Sequence, residues 1–78
     1  MVIDEQVERK LADLVERTGL RQFTLKLSPI LGAYLTRGWN SYVSKWKRKY
    51  KCKLKVVEMT EHSILQYEFY DVNGKVLE

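Results

Sequence analysis

From Trp39 to Lys55 the sequence WNSYVSKWKRKYKCKLK changes its apolar period in mid-run, so a helix must feed almost directly into a strand. Wound at about 100° per residue, Trp39, Tyr42, Val43, Trp46 and Tyr50 fall within an arc of roughly 100°. Lys45, Lys47, Arg48, Lys49 and Lys51 spread over the other side. The spacing predicts an amphipathic helix from Trp39 to Lys51, with Asn40 or Ser41 as its cap. Its buried face is aromatic, with Trp46 as the central anchor and Trp39 at the edge, and its exposed face is cationic. After Lys51 the period falls to two. Cys52, Leu54 and Val56 share one side of the chain, and Lys53, Lys55 and Val57 the other, as in a half-buried strand. An architecture holding both kinds of element is required.

The net charge of +4 conceals three blocks. Residues 1–16 carry −3, residues 17–57 carry +11 without a single acid, and residues 58–78 carry −4. A solvated helix face ordinarily mixes signs so that residues four apart can pair. Forty-one acid-free residues do not, and they point to a polyanion for the middle of the chain. The candidate RNA-phosphate contacts are Lys45, Arg48 and Lys49, with Lys47, Lys51 and Arg37 at their borders. Contacts of this kind hold a backbone without reading its bases.

The remaining elements follow from pattern and punctuation. Residues 4–18 predict a helix capped by Asp4, with Val7, Leu11, Leu14 and Val15 as its apolar stripe. Thr18-Gly19-Leu20 predicts a Schellman end, with Leu20 lying over Val15. Phe23, Leu25 and Leu27 alternate with polar residues as a strand, and Ser28-Pro29 stops it and starts a short helix through Tyr34 and Leu35. Gly32 and Ala33 are small enough for another element to approach closely. A further strand runs from Leu65 to Tyr70, and Asn73-Gly74 predicts a type I′ hairpin turn returning residues 75–77. The order is α-β-α-α-β-β-(β). It makes an α+β fold, a small mixed sheet with helices on one face, in one domain of a terminal helix (1–19) and a βααββ unit (20–78).

Seventy-eight residues with nine aromatics can build one core without staples, and the one cysteine, Cys52, cannot form an intrachain bridge. No apolar window is long enough to span a membrane and the acidic N-terminus is unlike a signal peptide, so a cytoplasmic location and no membrane partner are expected. Catalytic signals are sparse. His62 is the only histidine, Cys52 falls on the apolar side of a strand, and Glu68 and Asp71 suit a solvent-facing strand and a turn better than a Mg²⁺ site. Neither a catalytic group nor a cofactor is expected in these residues.

Two resemblances bear on function. The β-α-α-β order is similar to the core of KH-type domains, but the turn Thr36-Arg37-Gly38-Trp39 stands where those carry a GXXG loop. The second covers residues 20–77. A strand leads into Pro29, Ala33, Tyr34 and Leu35, then to Gly38, to the basic helix Lys45, Trp46, Lys49, Tyr50, and to Leu65, Tyr67, Phe69, Asp71 and Gly74. This run resembles the C-terminal small domain of ribonucleases of the RNase E/RNase G family, of the Bacteroidetes type. Ser28 stands where that family often has histidine. The resemblance implies a fragment of a larger chain that supports a Mg²⁺-dependent, zinc-linked nuclease domain upstream and contributes to homo-oligomer assembly. Three readings stand: a non-catalytic RNA-binding scaffold domain of such an endoribonuclease, an independent KH-like single-stranded nucleic-acid binder, and a domain whose basic face meets an acidic protein or its own acidic termini.

Overall fold

The alternation of Phe23, Leu25 and Leu27 makes β1 (Gln22–Leu27) the strand around which the sheet is assembled. In the computed structural model, which describes residues 2–78, β1 is flanked on one side by β2 (Lys53–Glu58) and on the other by β3 (Tyr67–Tyr70), with β4 (Val76–Leu77) outermost, giving the order β2-β1-β3-β4. β1 and β2 are parallel, with Phe23 opposite Leu54. β1 and β3 are antiparallel, with Leu25 opposite Phe69, and so are β3 and β4. The fold is a small α+β mixed sheet. Parallel neighbours need a crossover, supplied by α2 (Pro29–Thr36) and α3 (Tyr42–Lys49).

The apolar stripe of α1 (Val2–Thr18), through Ile3, Val7, Leu11 and Leu14, packs into one core with Phe23, Leu25, Leu27, Leu54 and Phe69. Leu31 and Leu35 of α2 and Val43 and Trp46 of α3 complete it. All three helices therefore cover the same face of the sheet. Gly32 lets α2 sit close: a Cβ there would lie 2.8 Å from Leu27 Cδ1 and 3.0 Å from Glu58 Oε2. Ser28 and Ser41 are the buried polar residues among those described, and each is a helix N-cap. Ser28 Oγ accepts from the Leu31 N–H at 3.1 Å, and Ser41 Oγ from the Ser44 N–H at 3.2 Å. Burial makes the Ser28 cap worth more than an exposed one, because the Leu31 amide it satisfies has no water to turn to.

Several boundaries differ from the sequence expectation. α1 begins at Val2, so Asp4 lies in its first turn, where it accepts a hydrogen bond from the Tyr34 hydroxyl, instead of capping it. Gly19 does take a positive φ of 72°, and its N–H reaches the Val15 carbonyl at 3.1 Å. The Leu20 N–H, however, bonds to Thr18 Oγ1 and Leu20 is partly exposed, so the end is the simpler left-handed cap, not a Schellman motif. The Schellman geometry appears instead after α3, where the Cys52 N–H reaches the Lys47 carbonyl at 3.2 Å and Lys51 is held at φ 51°. Leu65 is exposed and outside β3, which starts only at Tyr67. The hairpin is not type I′: Gly74 alone of its residues has positive φ, and its N–H bonds to the Asp71 carbonyl at 3.1 Å. This is a three-residue loop with glycine in the left-handed position. Asp71 Oδ1 accepts from the N–H groups of Asn73 and Lys75, which favours the longer turn.

Candidate nucleic-acid interface

α3 is shorter than its aromatic spacing suggested. Ser41 caps it, so Trp39 lies two residues outside the helix, on the α2–α3 loop, and is 92% exposed. That corrects its expected place in the buried arc. Trp46 keeps its place at 3% exposure, stacked beside Tyr42 with ring centroids 6.2 Å apart. The loop that carries Trp39 is pinned at both ends. Arg37 closes α2, Gly38 reverses the chain at φ 75°, and the Arg48 guanidinium on α3 donates to Asn40 Oδ1 at 2.9 Å. A large indole is thus presented to solvent from a constrained backbone.

The six expected cations divide among two grooves, a loop contact, an ion pair and a turn. Arg37 and Lys45 line a groove of about 290 Å³ with Tyr34, Asn40, Ser41 and Tyr42, and Arg48 reaches the same loop. The Lys45 ammonium lies 5.6 Å from the centre of the Tyr42 ring. Hydrogen bonding to Tyr42, then burial, then Asp4 push the Tyr34 hydroxyl well above the usual phenol range, so it remains a neutral donor at every physiological pH. Lys49 departs from expectation. Its ammonium is 2.8 Å from Glu8 Oε2 of α1, and the Tyr50 hydroxyl donates to the same oxygen at 2.7 Å. Lys49, followed by Tyr50, holds the Glu8 carboxyl below its usual value, and Glu8 in turn raises Lys49. A carboxylate forty-one residues before Lys49 thus neutralises it once α1 folds back. Lys51 sits in the left-handed turn after α3, and Lys47 lies in a second groove with Lys53 and Lys55. None of the ion pairs among the described residues involves Arg37, Lys45, Lys47, Arg48, Lys51, Lys53 or Lys55.

The titratable residues elsewhere serve the fold. His62 Nε2 meets Glu68 Oε1 at 2.7 Å, and Gln66 Nε2 donates to Glu68 Oε2 at 3.0 Å, clipping the β2–β3 loop onto β3. The Gln66 and then the His62 hydrogen bonds hold the Glu68 carboxyl below its usual range. Burial pushes the Cys52 thiol up, away from the reactive thiolate. Among the described residues no cluster of three or more His, Cys, Asp or Glu side chains could hold a metal, and no helix is long and apolar enough to cross a membrane.

Sequence reasoning missed Trp39, Asn40 and the strand lysines Lys53 and Lys55. The signal for Trp39 was present: Ser41 followed by Ser44 marks a cap, and a cap at 41 puts residue 39 outside the helix. Fold and surface together define a class, a three-helix α+β domain with a cationic helix–loop edge and an exposed tryptophan. Comparison with protein-family models, with curated proteins and with solved structures finds no match to this chain.

Proposed function

We propose that this domain is a non-catalytic RNA-binding module acting as a scaffold within an RNase E/G-type endoribonuclease. Its partners would be the phosphate backbone of single-stranded RNA and a nuclease domain of the same parent chain, working in the cytoplasm, in an assembly that can be homo-oligomeric. The Mg²⁺ and Zn²⁺ of that class belong to the parent enzyme. One observation carries the reading: Arg37, Lys45 and Arg48 surround the loop that presents Trp39 at 92% exposure, and none of the three cations is in an ion pair among the described residues. Cations fix a backbone and an exposed indole stacks a base, the combination used on single strands.

The test is titration of a single-stranded RNA at two salt concentrations. An Arg37→Ala/Lys45→Ala/Arg48→Ala chain should bind more weakly, its log K against log salt flattened by about 2, at roughly 0.7 per lost contact. A parent chain that ignores RNA even at low salt ends this reading. The alternative is then a basic face that meets acidic protein, of which the Lys49–Glu8 pair is an example inside the chain.

A further inference from the structure

One face of the sheet is turned away from the helices. Alternation places Gln22, Thr24 and Lys26 of β1 there, with Lys53, Lys55 and Val57 of β2 and Glu68 and Tyr70 of β3. The register sets Gln22 beside Lys53 and Thr24 beside Lys55. At the β2 side these residues line a recess of about 390 Å³, and Lys47 of α3 enters it from the rim. Three lysines and two neutral hydrogen-bonding residues thus border one hollow, whose lining Phe23, Leu54 and Val72 complete.

Lysines on an outer strand have an ordinary purpose, which is to discourage pairing with another strand. That accounts for one or two of them, spread apart and balanced by acids. Here three share a single recess, and mutual repulsion opposes the arrangement unless an anion enters. No carboxylate lines the hollow. Glu68, two strands away, is engaged by His62 and Gln66, and Glu58 points to the helix side, toward Gly32. Lys53 and Lys55 stand two residues apart on one strand, about 7 Å, a separation that adjacent phosphates of an extended strand can match. Lys47 adjoins Arg48 in sequence, about 100° round the helix, so α3 joins this recess to the Trp39 loop.

We infer that the Lys47–Lys53–Lys55 recess is a second phosphate site, which holds the backbone of the same single strand as it passes from the α2–α3 loop over α3 onto the open sheet face. This rests on the domain being an RNA binder. Gln22 and the Thr24 hydroxyl donate to phosphate oxygens at its floor, and the recess makes no base-specific contact.

The experiment compares the parent, a Lys53→Gln/Lys55→Gln chain and the loop triple variant with one single-stranded RNA across a salt series. Both strand lysines are exposed, so the thermal midpoint of the double variant should stay at the parent value. Its salt slope should fall by about 1.4 and its affinity at 0.1 M salt by roughly tenfold to thirtyfold. Combining both sets of substitutions should remove about 3.5 from the slope. Amide resonances of Thr24, Lys53 and Lys55 should shift as RNA is added to the parent. A double variant that binds with the parent slope, or RNA shifts that leave Thr24, Lys53 and Lys55 unmoved, overturns the second site while leaving the loop site standing. A parent that does not bind overturns both.

Discussion

Replacing each tryptophan by alanine should separate two roles that the sequence places seven residues apart. Trp46 is 3% exposed, wedged beside Tyr42 at 6.2 Å between its rings and buried with Val43 and Leu35 in the core. Truncating a buried aromatic of this size costs about 3–5 kcal/mol. A chain of 78 residues has a total stability of roughly 4–12 kcal/mol at the usual per-residue range. Trp46→Ala should therefore remove a quarter or more of it and move the unfolding transition to lower urea. Trp39 is 92% exposed, and its removal should change stability by no more than about 0.5 kcal/mol. If its ring stacks a base, about 1–3 kcal/mol of binding goes with it, some fivefold to 150-fold in affinity. The salt slope should not move, because no phosphate contact is lost. Urea unfolding followed by far-UV dichroism gives the first quantity and RNA titration the other two. A Trp39→Ala chain that loses more than 1 kcal/mol of stability, or binds RNA as the parent does, would refute the division. So would a Trp46→Ala chain that melts with the parent.

Lys51 is a non-glycine residue held at φ 51°, a conformation that costs an L-residue about 1–2 kcal/mol. Lys51→Gly should relieve it for a net gain of about 0.5–1 kcal/mol after glycine's greater freedom in the unfolded chain is counted, and an unchanged or lower melting temperature would contradict the strain. The Glu8 carboxyl is held below its unfolded value by Lys49 and Tyr50, so its contribution is fully present above the unfolded pKa and is lost as pH falls through the folded one. Glu8→Gln should accordingly lower stability by about 1 kcal/mol at pH 7, and the gap between parent and variant should narrow as the pH falls through the depressed folded pKa of Glu8. A gap that stays constant from pH 7 down to the acid limit of folding would mean that the contact is packing and not charge.

The helices, the strands and their order were legible because each rests on a local signal: the stripe in residues 7–15, the alternation at Phe23, Leu25 and Leu27, and Ser28-Pro29 as a stop and a start. What was not legible required contacts between distant segments. The acid-free run looked unpaired because Glu8 lies far before it in sequence, yet α1 carries Glu8 to 2.8 Å from Lys49. Lys53 and Lys55 looked like the polar side of a strand. Only the parallel pairing with β1, and Lys47 in the same lining, turned them into a recess. Leu65 kept the alternation of Tyr67 and Phe69, but the His62–Glu68–Gln66 contacts hold the chain in a loop until Tyr67. Trp39 satisfied the helical period and the cap overrode it. Periodicity reports which residues could share a face, whereas capping decides where the helix stops.

The central position of β1 has a consequence for synthesis from the N-terminus. Both of its partners follow it in the chain: β2 begins at Lys53 and β3 ends at Tyr70. At roughly 5–20 residues per second, several seconds separate the appearance of Leu27 from that of the last strand needed to saturate its backbone. Until β2 is made Phe23, Leu25 and Leu27 form an apolar strand with two open edges, and until β3 is made with one, the kind of segment other nascent chains can pair with. α1 is complete before β1 emerges, and its Val7, Leu11 and Leu14 share the final core with those three residues. Among the described elements, α1 is thus the one already made and able to shelter the strand while its partners are still being made.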